Sequence, residues 1–194
     1  MKIFCVISNY ATGPGETPEW YTLPDSTLLR SNNPFFIPDF DTDFIGIPSV
    51  AVRIDRLGKN IAPKYASRYY SEATMAVCIV AKNLLRELSE AGKPWSRAVA
   101  FDRSCLMGDF VDKNQLLESR NIKVKCGSEE CGYVFDRINR SIDDAVSMVS
   151  SDNTMKTGDI VLAAMMPEGL PLHIGDTLDI TLPSGRNLLT IRMR

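Results

Sequence analysis

The stretch Ala73 to Ala81 reads Ala-Thr-Met-Ala-Val-Cys-Ile-Val-Ala, a continuous apolar run of strand length. A strand on the outside of a sheet alternates apolar and polar side chains; this one does not, so it predicts a strand buried on both faces. Upstream, Val50, Val52 and Ile54 alternate with Ser49, Ala51, Arg53 and Asp55, the period of a half-buried strand. Leu57-Gly58-Lys59-Asn60 then turns the chain, and Asn60 is expected to cap a short helix within Ala62 to Tyr70, with Pro63 early in it.

The remaining elements follow from the same rules. Lys2 to Ser8 and Trp20 to Leu23 read as strands, and proline-bounded Phe35 to Pro38 as an edge piece at best. Leu84, Leu85 and Leu88 have helical spacing within Asn83 to Ala91, and Gly92 stops that helix. Ile122 to Cys126 and Cys131 to Phe135 form a hairpin. Ser141 caps a helix with Asp144 at its third position and an apolar stripe of Ile142, Ala145, Val146 and Val149. Two glycine turns, Thr157-Gly158-Asp159 and Ile174-Gly175-Asp176, each launch a strand, and Ser184-Gly185 closes the last hairpin before Leu188 to Met193. Strands outnumber helices and no βαβ alternation appears. The fold class is therefore α+β, predominantly β, in a mixed or antiparallel arrangement with a few short helices. Its 194 residues are most simply one domain, 1–194.

Net charge is −2, from 22 basic and 24 acidic residues, which leaves no electrostatic footprint for nucleic acid. No apolar run approaches a membrane span, and the first apolar run is too short for a secretory signal. Five cysteines without framework spacing suggest reduced thiols in a cytoplasmic protein. Cys126 and Cys131 could face each other across the turn at Gly127 to Glu130, yet a single pair is only half a structural zinc site. The single histidine, His173, reads as a surface turn residue, so the usual general base is scarce. Asp39, Asp41 and Asp43 alternate in what reads as a solvated loop, with metal binding the lesser alternative.

A series of short motifs carries a resemblance: Asn9-Tyr10-Ala11, Pro24-Asp25-Ser26, Ile37-Pro38-Asp39, Arg56 to Ile61, Phe101-Asp102, Lys156-x-Gly158-Asp159 and Ile174-Gly175-Asp176. In this order and spacing they resemble the catalytic domain of the fumarylacetoacetate hydrolase family, nearly end to end. The resemblance implies a mixed β-sandwich roll, commonly dimeric. It also implies a Mg²⁺ or Mn²⁺ site acting on 2-oxo or β-diketone acids by C–C hydrolysis, decarboxylation or tautomerisation. A hard cation chelated by the oxo and carboxylate oxygens would stabilise the enolate formed as a C–C or C–H bond breaks.

The metal ligands implied by the resemblance are two glutamates in an E-x-E pair and an aspartate on the next long strand. Those positions carry Ile47, Ser49 and Cys78. Isoleucine has no ligand atom, serine a weak neutral one, and cysteine a soft sulfur ill-suited to magnesium. The family's lid histidine falls on Gly13, although its glutamate partner remains as Glu16. The lysine before Phe-Asp is Val99, while the Asp102 position is kept. The arginine and aspartate after the long strand are Lys82 and Asn83, and the Thr-Gly-Thr-Pro loop is Ala163-Ala164-Met165-Met166. A glutamine and a threonine near the second hairpin strand become Cys131 and Phe135.

The expectation is a catalytically degenerate member of the family, a pseudoenzyme with no catalytic residue and no metal. Its vestigial pocket would comprise Glu16, Ile47, Ser49, Cys78, Lys82, Val99, Asp102 and Met165. It would serve as a binding or assembly subunit: a homodimer, or a hetero-oligomer with an active relative, able to take a small apolar ligand, with no nucleic acid or membrane partner. The alternatives are an active hydrolase, isomerase or decarboxylase of 2-oxo acids with replacement ligands, using Mg²⁺ or Mn²⁺, or a cysteine enzyme in which Lys82 lowers the pKa of a nucleophilic Cys78.

Overall fold

The structure, a computed structural model, describes residues 1–11, 13 and 16–194. The strand predicted from the apolar run is β5, an interior strand of the larger sheet. In chain order the strands are β1 (Lys2–Ile7), β2 (Glu19–Pro24), β3 (Leu28–Arg30), β4 (Phe44–Ile54), β5 (Tyr70–Ala81), β6 (Cys105–Met107) and β7 (Val111–Asp112). They continue with β8 (Asn121–Cys126), β9 (Glu129–Val134), β10 (Ile160–Met165), β11 (Leu170–Pro171), β12 (Thr177–Thr181) and β13 (Asn187–Arg192). The helices are short: α1 (Pro63–Ala66), α2 (Lys82–Glu90), α3 (Ser96–Val99), α4 (Lys113–Leu117) and α5 (Ile142–Asp152).

Among the described residues a mixed sheet runs in the order β2-β1-β10-β4-β5-β6-β3, with β11 added to β4 and β7 to β5. A second, antiparallel sheet runs β13-β12-β8-β9. The mostly-β class and the strand positions agree with the sequence reading. From Ala73 to Ala81 every residue of β5 is buried. Strand β4 is where the pattern misled. Ser49 and Ala51, expected on its outer face, are as fully buried as Val50 and Val52, and only Arg53 near its end is exposed. The cause is tertiary: β4 lies between β5 and β10 in the sheet, and its second face is covered as well.

Two local readings need correction. Asn60 does not cap α1, whose N-cap is Ala62. Asn60 instead takes a left-handed φ of 51° and donates its N–H to Ser150 O at 2.9 Å. Nor do Cys126 and Cys131 sit opposite one another: the turn is tighter than expected, pairing Cys126 with Glu129 and Val124 with Cys131. All five cysteines are free thiols. Other details hold. The Ser141–Asp144 capping box starts α5, and Gly92 ends α2 region at φ 61°. His173 lies exposed in its turn, 3.4 Å from Asp176 Oδ2.

Candidate functional site

The topology makes a cleft without help from any one motif. β1 and β10 are parallel, so their C-terminal ends emerge on the same edge of the sheet. β4 runs antiparallel to β10, which sets Met165 beside Ser49. β5 runs antiparallel to β4, which sets Cys78 opposite Ile47. The three positions expected from the resemblance to ligate metal, Ile47, Ser49 and Cys78, are thus brought together by register.

Above them lies a cavity of about 340 Å³. Its floor is formed by half-buried Ile47 and by Met165, Met166 and Pro167 at the end of β10. Its wall comes from Ile7, Ser8, Tyr10 and Ala11, and its outer rim from Gly13 and exposed Glu16. Ser8 and Ala11 hold left-handed φ values of 53° and 50°, uncommon for residues with a side chain and frequent where a chain is bent around a site.

The Asn9-Tyr10 motif turns out to be the brace of this bend. The buried Asn9 amide donates to Ala163 O at 2.8 Å and Arg140 O at 3.0 Å, and its oxygen accepts from Arg140 N–H at 2.8 Å. Ala163 sits where β10 slips register against β4, so Asn9 satisfies a carbonyl at the irregularity that aims Met165. Tyr10 accepts from Val134 N–H at 2.8 Å and stacks on Tyr133, whose hydroxyl donates to Ala164 O at 2.7 Å. Asp159 of the Lys156-x-Gly158-Asp159 motif is likewise structural. It accepts from the backbone N–H groups of Lys2 at 2.8 Å and Lys156 at 2.9 Å, joining the starts of β1 and β10.

Below the floor the donors are committed. Ser49, fully buried, donates to Val50 O at 3.1 Å and accepts from Ala164 N–H at 3.4 Å. Cys78 Sγ lies 3.9 Å from Cys5 Sγ, and Cys105 is its cross-strand neighbour. The hydrogen bond from Cys105 works to lower the Cys78 pKa, but that with Cys5 and burial outweigh it and hold the thiol well above its ordinary value. The Cys105 thiol is pushed up as well, by its bond to Cys78 and by burial. Tyr21 closes the group: its hydroxyl reaches Met165 Sδ at 3.7 Å, and burial, then Cys5 and Cys78, raise its pKa. The result is a cluster of three thiols, a thioether and a phenol.

This donor set does not fit magnesium or manganese. A hard dication needs several oxygen ligands, some of them anionic, and of Ile47, Ser49 and Cys78 only Ser49 has an oxygen, a neutral hydroxyl already bonded to the backbone. Among the described residues no group of three or more His, Cys, Asp or Glu side chains is placed to hold a metal. The aspartate loop does not substitute. Asp41 accepts from Leu84 N–H at 2.8 Å, Asp43 N–H at 3.1 Å and Asn83 Nδ2 at 3.0 Å, which fastens it to the start of α2. Burial alone would raise its pKa, but these bonds hold it below the ordinary value. Asp43 pairs with Lys82 at 3.4 Å, and Asp39 is exposed.

The other expected pocket residues stand apart from the cavity. Lys82 is exposed and turned to Asp43, so it gives Cys78 no depressed pKa. Val99 lines a separate hollow with Tyr21, Pro94 and Trp95. Asp102 lies exposed in the turn after α3. Cys5, Tyr21 and Cys105 were missed, and Tyr10 was noted only as part of a motif. Cys5 and Tyr21 are partners in the β1–β2 ladder, but nothing in local sequence says that both face Cys78 across the roll.

Comparison with known proteins follows this geometry. Residues 2–191 match the profile of the fumarylacetoacetate (FAA) hydrolase C-terminal family. Oxaloacetate tautomerase YcgM of Escherichia coli (strain K12) is 26% identical, covering 97% of this chain and 91% of that protein. The mitochondrial oxaloacetate decarboxylase of Dictyostelium discoideum is 24% identical over 90% of this chain and 83% of its own. Among solved structures, fumarylpyruvate hydrolase from Pseudomonas aeruginosa in complex with Mn²⁺ and pyruvate superposes with a TM-score of 0.88 at 19% identity, over 100% of this chain and 89% of that one. 5-Carboxymethyl-2-hydroxymuconate delta-isomerase from Mycobacterium smegmatis gives 0.84 at 21% identity, over 99% and 78%. At such identities the structural likeness speaks for the fold alone.

Proposed function

Since the chain belongs to the fumarylacetoacetate hydrolase C-terminal family, we propose that it uses the family cleft between the ends of β1 and β10, and uses it without a divalent cation. The observation that carries this reading is the facing pair Ile47 and Cys78, with Ser49 hydrogen-bonded into the backbone beside them. An uncompensated ion placed there would cost several kcal/mol. A cavity floored by Ile47, Met165 and Met166 favours a small, largely apolar ligand, with Glu16 the carboxylate at its described rim. In this reading the chain is a binding or assembly subunit, paired with itself or with an active relative, in the cytoplasm. Among the described residues no helix is long and apolar enough to cross a membrane.

A second reading has its own support, and the comparisons by themselves lend it more. The named relatives are enzymes of oxaloacetate, and one solved neighbour is a hydrolase complexed with Mn²⁺ and pyruvate. They favour an active hydrolase, isomerase or decarboxylase of 2-oxo acids, whose metal ligands would have to come from outside the three expected positions. Geometry opposes the cysteine version of that alternative, because Cys78 is buried and its thiol pKa is raised.

One pair of measurements separates them. Thermal unfolding is followed with and without millimolar Mg²⁺ or Mn²⁺, and oxaloacetate tautomerisation and decarboxylation are assayed in parallel. A ligand at a hundred times its Kd stabilises by about 2.7 kcal/mol, which a midpoint readily reports. The cation-free reading expects no metal-dependent shift and no rate above the solution background. It also expects the combined Ile47→Glu, Ser49→Glu and Cys78→Asp variant to gain a shift. A metal shift together with turnover in the natural chain would establish the enzyme reading instead.

A further inference from the structure

Away from the cleft, the last strand builds a second concave site with the opposite electrostatic character. β13 continues past Arg192 through Met193, which bridges to Phe35. Arg192 and Arg194 alternate on it and therefore point to the same side, with about 6.6 Å of extended chain between their Cα atoms. They line a cavity of about 320 Å³ together with Asn32, Asn33, Pro34 and Thr190. It shares no lining residue with the cleft at Ile47.

The backbone around this cavity is tied at every second residue. Asn32 N–H donates to Thr190 O at 2.9 Å, Phe35 N–H to Arg192 O at 2.9 Å, Arg194 N–H to Phe35 O at 2.9 Å and Ile37 N–H to Arg194 O at 2.8 Å. The proline-bounded segment predicted to be an edge piece is thus laced along β13, and it fixes the backbone from which the two arginines project. Asn32 turns in at φ 67°.

Neither guanidinium group of this cavity is directly paired with a carboxylate side chain of the described residues. Ion pairs elsewhere join Lys2 to Asp159, Arg53 to Glu72, Arg56 to Asp55, Lys82 to Asp43 and Lys123 to Glu130. Among the described residues neither Arg192 nor Arg194 enters an ion pair, and no carboxylate side chain lines the cavity. The carboxylate that touches the lining, Asp179, accepts from Thr190 Oγ1 at 2.6 Å and Asn187 Nδ2 at 3.3 Å. The Asn33 amide is likewise spent on the carbonyls of Arg30 and Ser31. That leaves the Arg192 and Arg194 guanidinium groups and Asn32 lining an open hollow in a chain of net charge −2.

The geometry points to an anion-binding site: a small dianionic oxyanion, a phosphate group or a dicarboxylate, bridged between Arg192 and Arg194. Guanidinium groups engage planar or tetrahedral oxyanions through paired, charge-assisted N–H···O bonds. Two of them on one strand face match two negative charges better than one. The site is independent of the chemistry at the cleft.

The test is amide chemical-shift titration of the intact protein with inorganic phosphate and, separately, with succinate, at ionic strength held constant with KCl. The expected result is saturable shifts confined to Asn32, Asn33 and residues 190–194 for at least one probe. The probe with the lower Kd identifies phosphate or dicarboxylate as the source chemistry. In the Arg192→Gln and Arg194→Gln double variant the affinity is expected to fall at least tenfold, with the thermal midpoint unchanged because both side chains are exposed. Shifts that fail to saturate for both probes, or a double variant that binds as before, would overturn the proposal.

Discussion

Cys78 shows how one residue's chemistry is set by its neighbours. The sequence offers a cysteine near a lysine; the structure offers a buried thiol between Cys5 and Cys105, with Lys82 paired elsewhere. Of the five cysteines only Cys131 is partly exposed. Titration of the native protein with a thiol-specific disulfide reagent should therefore report one reactive group, and all five after denaturation. More than one fast-reacting thiol in the native state would contradict the burial. Placing a carboxylate here is predicted to be expensive. Cys78→Asp should lose about 3 kcal/mol in urea unfolding at pH 7, since a charge would be buried with no partner. Burial raises such a carboxyl's folded pKa, so the penalty should shrink as pH falls and the group is neutral in both states. A loss independent of pH would mean that cavity or packing changes, not charge, dominate.

At the scale of elements, α2 illustrates a cap that arrives from far along the chain. Its N-cap residue, Ala81, has no side chain able to accept a hydrogen bond. Asp41 takes that role from the preceding loop, accepting from Leu84 N–H. Because its folded pKa is lowered, Asp41 contributes stability that is complete above its unfolded pKa and lost as pH falls through the folded one. Asp41→Asn should lower the thermal midpoint at pH 7, and the difference from the parent should narrow below about pH 4. Equal differences at pH 7 and pH 3 would remove the charge from the explanation. The alternating Asp39, Asp41 and Asp43 thus carry a structural signal that local pattern could not separate from a metal loop. The Ser141–Asp144 box, by contrast, was legible because both partners lie within one turn.

For the whole molecule, the lack of a metal-holding cluster among the described residues predicts indifference to metal removal: dialysis against EDTA should leave the thermal midpoint unmoved, and a drop restored by Mg²⁺ would count against the cation-free reading. Periodicity and the turn residues were enough to find β1, β5, the β8–β9 hairpin, α5 and the mostly-β class, because each depends on neighbours a few residues away. The ordered motifs found the family for the same reason, since their spacing survives in the linear chain. What the sequence by itself determined is this scaffold and the identities at Ile47, Ser49 and Cys78. Only the tertiary structure decided that β4 is buried on both faces, that Cys5, Cys105 and Tyr21 close around Cys78, and that Lys82, Val99 and Asp102 stand outside the cavity. The physical reason is that burial and pairing in a rolled sheet are set by residues tens of positions apart. Local sequence carries the tendency of each strand to form, and nothing about what will cover it.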